Sequence, residues 1–391
     1  MKPELELYLH FPFCARKCAY CDFFSGAFSD AEMHRYFEDL RAEIRARKDT
    51  PLFFPSASDS ASFDRFPASS LPVRSVFIGG GTPSIVPIPE LEATVDALRE
   101  AYRIDPSSEF TIEANPGTLT PSKLSAYRAL GVNRLSIGLQ SPDDRMLQKL
   151  GRIHDFRTFL ASYEAARRAG FDNISIDLIS GLPGEMPDSF EKGLKTVLSL
   201  SPEHLSVYSL IIEENTPFYA LYGPSGSRRS ELPDEEADRL IYHRTGALLE
   251  DAGLHRYEIS NYARPGFESR HNTGYWTGVP YLGFGAAAAS FTGVSRMKNA
   301  SSLSYRSLQP EENESLTTED LMSEFMILGL RMTAGVSEAE FESRFRKKLR
   351  DAFSAAVSRH LALGTLEASG GFLRLTPYGL DVANAVMADF L

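Results

Sequence analysis

Strand-like and helix-like segments alternate along the first 212 residues of this 391-residue chain. Apolar runs rich in β-branched residues are candidate strands, and amphipathic stretches lie between them. Strands joined by helices pair in parallel, because parallel pairing needs a crossover connection. Six such units favour an α/β fold, a partial (βα)6 TIM-type barrel, with functional residues at the carboxyl ends of the strands. The candidate strands are Leu5–Phe11, Ser75–Ile78, Phe110–Glu113, Arg134–Leu139, Ile174–Ile179 and Leu205–Ile212, and the candidate helices are Ala31–Arg47, Glu90–Tyr102, Pro121–Leu130, Phe156–Ala169 and Ser189–Leu200.

Two segments within residues 1–300, the predicted barrel domain, have the composition of insertions. Residues 49–72 are dense in Ser, Pro and Asp, which predicts a disordered, mobile loop. Residues 222–233 form a second, shorter insertion, followed by a helix with an acidic start over Asp234–Glu250. Residues 256–262 are a further candidate strand at the edge of the barrel.

Residues 301–391 have a different character and predict a smaller, mainly helical domain. Helical patterns cover Leu316–Met332 and Glu338–Leu363, a hairpin is expected around Gly370–Gly371, and a last helix covers Pro377–Phe390. This order is winged-helix-like and so compatible with DNA binding. The chain offers no basic recognition helix, which favours a packing or substrate-covering role.

Charge and hydropathy exclude several classes of protein. A net charge of −11 argues against nucleic acid as a partner, because phosphate binding needs a concentrated basic surface. We find no run of about 20 apolar residues that could span a membrane, although peripheral membrane contact stays compatible with the sequence. The acidic N-terminal segment lacks the apolar core of a signal peptide, so we expect a cytoplasmic protein.

The chain has three cysteines, and all of them lie within eight residues. Cys14, Cys18 and Cys21 form a C-x3-C-x2-C pattern directly after the first candidate strand. An odd number at this spacing is a poor disulfide framework and predicts a metal-ligand set. Three thiolates on a [4Fe–4S] cluster leave one iron open, and S-adenosyl-L-methionine can fill that position with its amino and carboxylate groups. A zinc site with His10 as fourth ligand, or incidental buried cysteines, are the alternatives.

The cysteine pattern resembles the radical S-adenosylmethionine superfamily. Six further segments are similar to its coproporphyrinogen dehydrogenase-like branch, and the similarity is strongest to the HemW-type haem chaperones. The resemblance covers nearly the whole chain. These segments are FIGGGTPS (77–84), TIEANPG (111–117), RLSIGLQS (134–141), LGRIHD (150–155), ISIDLISGLPGE (174–185) and HNTGYW (271–276).

The resemblance implies a cofactor-binding set at the ends of the candidate strands. Glycines 79–81 let the backbone approach a small zwitterion, and in the family this turn faces the methionyl amino group. A glycine-rich turn alone is more often only a tight turn, and Glu113 with Arg152 could form an ordinary structural ion pair. The residues that match the family's cofactor contacts, or that we expect beside them, are Tyr8, Gly80, Gly81, Thr82, Glu113, Gln140, Arg152 and Asp177.

Two departures separate the chain from the dehydrogenases that it resembles. Phe23 stands where those enzymes have a further cysteine, which is not one of their cluster ligands. The first strand also begins by Leu5, which leaves no room for their long N-terminal extension. We therefore expect a chaperone without coproporphyrinogen dehydrogenase activity, with the dehydrogenase as the alternative function. A purely structural metal-binding regulator is a third reading.

His271 is the candidate haem ligand, because a neutral imidazole is a good axial ligand for haem iron. Tyr275, Trp276, Tyr281 and Phe284 could supply an aromatic wall for the macrocycle. A structural histidine is the alternative, and the sequence places His271 in a loop. The resemblance implies haem as cargo, with acceptor haem proteins such as respiratory-chain components as partners, and a monomer or dimer.

Overall fold

A computed structural model describes residues 3–56, 63–304 and 310–391 of the chain. Its main feature is a 12-stranded sheet with the order β14-β13-β12-β11-β1-β4-β5-β6-β7-β8-β10-β9. The strands of this sheet are β1 (Leu5–Phe11), β4 (Pro72–Gly80), β5 (Arg103–Ala114), β6 (Arg134–Gln140), β7 (Ile174–Ser180), β8 (His204–Ser209), β9 (His255–Arg256), β10 (Asn261–Ala263), β11 (Tyr281–Phe284), β12 (Ala289–Phe291), β13 (Ser295–Lys298) and β14 (Glu312–Ser315).

The expected parallel βα order is confirmed. All pairs from β1 through β4, β5, β6 and β7 to β8 are parallel, and helices connect them. A seventh parallel strand, β11, flanks β1 on its other side, whereas the sequence predicted six. The helices of this part are α1 (Asp30–Ala46), α2 (Ile88–Ala101), α3 (Pro121–Ala129), α4 (Asp144–Lys149), α5 (Phe156–Arg168), α6 (Pro187–Leu198), α7 (Pro217–Tyr222), α8 (Glu235–Asp251) and α9 (Arg270–Thr277).

The parallel strands are buried along nearly their whole length, with apolar residues alternating with buried polar ones. Six of the seven residues of β1 are fully buried, and β6 and β7 show almost the same pattern. Strands buried on both faces are typical of parallel sheets covered by helices. The helices begin at ordinary N-caps, such as Ser29 before α1, which forms a capping box with Glu32.

The predicted disordered insertion at residues 49–72 is wrong for its described part. Strands β2 (Pro51–Pro55) and β3 (Phe63–Pro67) form an antiparallel hairpin. The alternation of buried and more exposed side chains explains the hairpin, because Leu52 and Phe54 are buried in the core while their neighbours are more exposed. Residues 57–62 lie outside the described part of the chain.

The segment that carries His271 is helix α9 and not a loop. Ser269 caps the helix, and the buried Glu109 carboxylate of β5 accepts the backbone N–H groups of Arg270 and His271 at 2.9 and 3.1 Å. Gly274 is required in this helix because a Cβ at that position would collide with the carboxylate of Glu6. The helix therefore packs directly against the barrel interior.

The C-terminal part has its own buried core, built by residues from Met322 to Phe390. Strand β14 still joins the large sheet, so the sheet extends beyond residue 300, where the sequence placed the division. The hairpin around Gly370–Gly371 is confirmed. The elements are α10 (Thr318–Gly329), β15 (Val336–Ser337), α11 (Glu338–Phe345), α12 (Leu349–Ala352), α13 (Ser354–Ala362), β16 (Leu366–Ser369), β17 (Phe372–Leu375), α14 (Pro377–Asp381) and α15 (Ala383–Ala388).

Two helices that the sequence predicted as continuous are broken. The pattern over 338–363 becomes α11, α12 and α13. Arg346, which follows α11, is in the left-handed conformation with φ of 53°, and Phe353, with φ of −123°, separates α12 from α13. The pattern over 377–390 breaks at Val382, which has φ of −122°. Both breaks keep apolar side chains on the core while the chain changes direction. Among the described residues, no helix is both long enough and apolar enough to cross a membrane.

Candidate functional site

The three cysteines lie in the loop that follows β1, at the carboxyl ends of the parallel strands. The loop is fixed to the loop after β6: the Ala19 N–H donates to the Leu150 carbonyl at 3.0 Å, and Arg16 donates to the Gly151 carbonyl at 2.7 Å. All three thiols are half-buried and free. Burial raises the pKa of the Cys21 thiol, and repulsion from Cys18 and Cys14 raises it further. The thiols therefore share one region of space.

His10, the fourth ligand of the zinc alternative, is held by two hydrogen bonds in the structure. Within residues 3–56, 63–304 and 310–391, no three His, Cys, Asp or Glu side chains converge as ligands of one ion. His10 bonds the Phe24 carbonyl through Nε2 at 2.8 Å and Tyr8 Oη through Nδ1 at 3.1 Å. Both ring nitrogens are thus engaged.

The glycine turn after β4 lies against the cysteine loop. The Gly81 N–H donates to the Phe11 carbonyl at 2.8 Å, and a Cβ at Gly81 would come within 3.0 Å of Cys14 Sγ. Gly80 has φ of 112°, and its N–H donates to the Glu113 carboxylate at 3.1 Å. A larger side chain at Gly81 would therefore displace the cysteine loop.

A chain of polar contacts joins two of the cysteines. Cys14 Sγ lies 3.4 Å from Thr82 Oγ1, which accepts from Asn115 Nδ2 at 2.8 Å. Arg152 Nη2 donates to Asn115 Oδ1 at 2.6 Å, and Arg152 Nη1 lies 3.6 Å from Cys18 Sγ. Asn115 is a site residue that the sequence reasoning missed. The sequence signal for a site role of Asn115 is its position directly after a strand, within the segment TIEANPG.

Arg152 and Glu113 do not form the ion pair that the sequence left open. Arg152 donates to Asn115 and to the Gly138 carbonyl, whereas Glu113 accepts from Gly80. The Nε of Arg152 is buried without a hydrogen-bond partner among the described residues. Gln140 ends β6 in the left-handed conformation with φ of 70°, a strained backbone of the kind found at binding sites. Its side chain adjoins those of Asn115 and Arg152 around Gly138.

Two buried carboxyl groups complete this end of the barrel. Burial raises the pKa of Glu113 to about 8, and the neighbouring Asp177 carboxylate adds to the shift. Burial also raises the pKa of Asp177, against the hydrogen bonds of surrounding serines; Ser136 Oγ donates to Asp177 at 2.8 Å and Ser175 Oγ at 3.1 Å. Paired carboxyl groups at the strand ends suit ribose hydroxyls or an amino group.

The haem candidate His271 is fully enclosed, and its ring stacks near that of Tyr8 with a centroid distance of 6.4 Å. Its Nδ1 bonds Ser75 Oγ at 2.8 Å and its Nε2 bonds Tyr275 Oη at 2.9 Å. The ring stacks on Phe77 with a centroid distance of 5.0 Å. Burial lowers the pKa of His271 to about 3, so the imidazole is neutral. An iron would reach Nε2 only after Tyr275 gave up its hydrogen bond.

The chain without cofactors is expected to lose stability as the pH rises from about 5 to about 8. Folded Glu113 holds its proton up to a pH of about 8, whereas an unfolded glutamate releases it near pH ~4.3. Between these values the folded state binds more protons, so raising the pH favours unfolding. Melting temperatures across this range check the trend, and Glu113→Gln should show a shallower slope. Equal slopes for both chains would contradict the assignment.

Comparisons with known proteins identify the family of the chain. Residues 63–197 match the Radical SAM superfamily model, and residues 316–382 match the HemN C-terminal domain model. The chain is also similar to the solved structure of coproporphyrinogen III oxidase (HemN) from Escherichia coli, with a TM-score of 0.83 and 24% identity, over 99% of this chain and 90% of that one. At this identity the likeness shows the fold. The fold and the family models thus define a radical SAM protein.

Relatives of similar length identify the family of the chain within this superfamily. It is 35% identical to the protein named heme chaperone HemW of Bacillus subtilis (strain 168), over 98% of each chain. It is 30% identical to the protein of the same name of Escherichia coli (strain K12), over 100% of this chain and 98% of that one. The chain therefore belongs to the HemW family.

Proposed function

We propose that this chain binds haem and transfers it to acceptor haem proteins, and that it holds a [4Fe–4S] cluster and S-adenosylmethionine in doing so. The observation that carries the proposal is its similarity, over 98% of both chains, to a protein named heme chaperone HemW. The donor set supports the cofactor part. Three free thiols adjoin a glycine turn, an arginine and two buried carboxyl groups at one end of the barrel.

Each group at this end has a role that its chemistry supports. Cys14, Cys18 and Cys21 would hold the cluster, which when bound can supply an electron to the cofactor. Arg152 suits the methionyl carboxylate, because a guanidinium pairs with a carboxylate in a planar fork. Glu113 and Asp177 suit the amino group and the ribose hydroxyls. The remaining contacts that we propose are Tyr8, Gly80, Gly81, Thr82 and Gln140.

The test is a haem titration of the anaerobically reconstituted chain, followed by desalting and a Soret spectrum. We expect close to one haem retained per chain, and transfer to an added apo-haemoprotein. A chain that retains no haem would overturn the proposal. Consumption of coproporphyrinogen in the same preparation would then assign the alternative function, that of a dehydrogenase.

Haem ligation by His271 is tested with two variants of neighbouring residues. If His271 binds the iron, His271→Ala lowers haem affinity and shifts the Soret band. Tyr275→Phe removes the hydroxyl that engages Nε2, so it leaves haem affinity unchanged or raises it. We expect lower haem affinity in His271→Ala, and unchanged or higher haem affinity in Tyr275→Phe. Native affinity and an unshifted band in His271→Ala would show that the histidine is structural.

A further inference from the structure

A cavity of about 230 Å³ lies between the barrel and the C-terminal part. It is at the opposite end of the barrel from the cysteines: Tyr281, in its wall, is the first residue of β11 and pairs with Glu6 near the start of β1. One wall comes from α9 and β11 and the other from α10 and α11. Its aromatic lining consists of Tyr275, Trp276, Tyr281, Phe291, Phe325 and Phe372.

Two buried N–H groups of cavity-lining residues lack hydrogen-bond partners among the described residues. They are Nε of Arg344 and Nε1 of Trp276. The Arg344 guanidinium lies between the rings of Phe325 and Phe345, with centroid distances of 5.9 and 5.5 Å. A Cβ at Gly278 would lie 3.0 Å from its Nη1. A buried donor without a partner is destabilising, so the cavity is complementary to an acceptor that the described residues do not supply.

The second arginine of the cavity is paired with a carboxylate, whereas Arg344 has no hydrogen-bonded partner among the described residues. The carboxylates of Glu340 and Glu324, which also line the cavity, act on Arg344 electrostatically. Arg296 makes a two-point pair with the Glu324 carboxylate at 2.6 and 2.9 Å, and it also donates to Tyr281 Oη. Arg344 forms no such pair within the described ranges, and burial lowers its pKa. An aromatic slot with one unpaired guanidinium suits a flat apolar molecule that bears a carboxylate.

We propose that this cavity receives one propionate-bearing edge of haem, with the carboxylate on Arg344 and Trp276 and the ring edge between the aromatic walls. The volume fits an edge and not a whole macrocycle, because sites for complete ligands usually span about 300–1,000 Å³. Tyr275 lies between this cavity and His271 Nε2. The inference rests on the proposed haem cargo but adds where the propionate is recognised.

The experiment compares three probes on the full chain with its cluster reconstituted: haem, iron-free protoporphyrin IX, and the dimethyl ester of protoporphyrin IX. Binding is followed by the absorbance and emission of the porphyrin. Protoporphyrin IX cannot use an axial ligand, so its affinity reports the pocket alone. We expect Arg344→Gln to weaken protoporphyrin IX binding about tenfold or more, and the ester to bind the native chain as weakly. Arg346→Gln, an exposed arginine two residues away, is the matched control and should bind like the native chain.

The outcomes separate this inference from the proposed function. Native haem retention together with unchanged protoporphyrin IX affinity in Arg344→Gln would overturn the inference and leave the chaperone function standing. Equal affinities of the acid and the ester would do the same. If the native chain retains no haem but binds protoporphyrin IX in a way that depends on Arg344, the proposed function is overturned and the inferred carboxylate site stands.

Discussion

After anaerobic reconstitution, the Cys18→Ala variant is expected to lack the brown absorbance of a four-iron cluster. The chain has three cysteines, so two thiolates would remain, and no other residue of the loop offers a comparable ligand. Cys18 Sγ also lies 3.6 Å from Arg152 Nη1. The variant therefore also loses the last contact in the chain that starts at Cys14 Sγ. We expect iron and sulfide contents near zero, measured chemically, beside the spectrum.

Phe23→Ala is the matched control for this variant. Phe23 lies in the same loop, and 66% of its surface is exposed, so its removal should leave four irons per chain. A full-stoichiometry cluster in Cys18→Ala would refute the ligand assignment. Zinc without iron in the native chain would instead favour the alternative in which the cysteines form a structural zinc site.

The second large effect is on stability. We expect Glu109→Ala to lower the free energy of unfolding by about 2–4 kcal/mol, because buried donors that lose a charged acceptor pay their full desolvation cost. Glu109 accepts from the backbone N–H groups of Arg270 and His271 and from Ser269 Oγ. These groups form the start of α9, so the variant should also loosen the setting of His271.

Urea denaturation of the native and variant chains measures this loss. Glu92→Ala is the control: Glu92 is exposed on α2, and surface changes usually stay within about 0.5 kcal/mol. If Glu109→Ala lowers the free energy of unfolding by no more than about 0.5 kcal/mol, water replaces the carboxylate at the start of α9. The expected loss, by contrast, would identify Glu109 as the residue that positions α9.

The barrel was predictable because its strands are long and apolar and carry their own periodicity. The extension from β11 to β14 was not, because its strands have three or four residues each. Strand β11 pairs with β12 at a single position, and its main partner is β1, about 270 residues earlier in the chain. Such pairing depends on tertiary contacts, which no local pattern reports. Helix α9 was missed for a similar reason, since Glu109 of a distant strand supplies the acceptors at its start.

The site residues also divide into those that are close in sequence and those that only the fold brings together. Cys14, Cys18 and Cys21 are adjacent in sequence, and their spacing alone predicted a ligand set. The contacts of Asn115 with Thr82 and Arg152 exist only once three loops meet at the strand ends. The sequence therefore predicted which segments take part but not which side chains connect them.

The position of β1 in the sheet has a consequence for how the protein is made. The cysteine loop is synthesised well before β11, and β1 gains its second neighbour only when β11 has been made. At about 5–20 residues per second, that delay is on the order of 10–50 s. The contacts from Ala19 to Leu150 and Phe218 also wait for later segments. Nascent chains thus carry three uncovered thiols until β11 has been made, and iron delivery to a correctly shaped loop has to follow that point of synthesis.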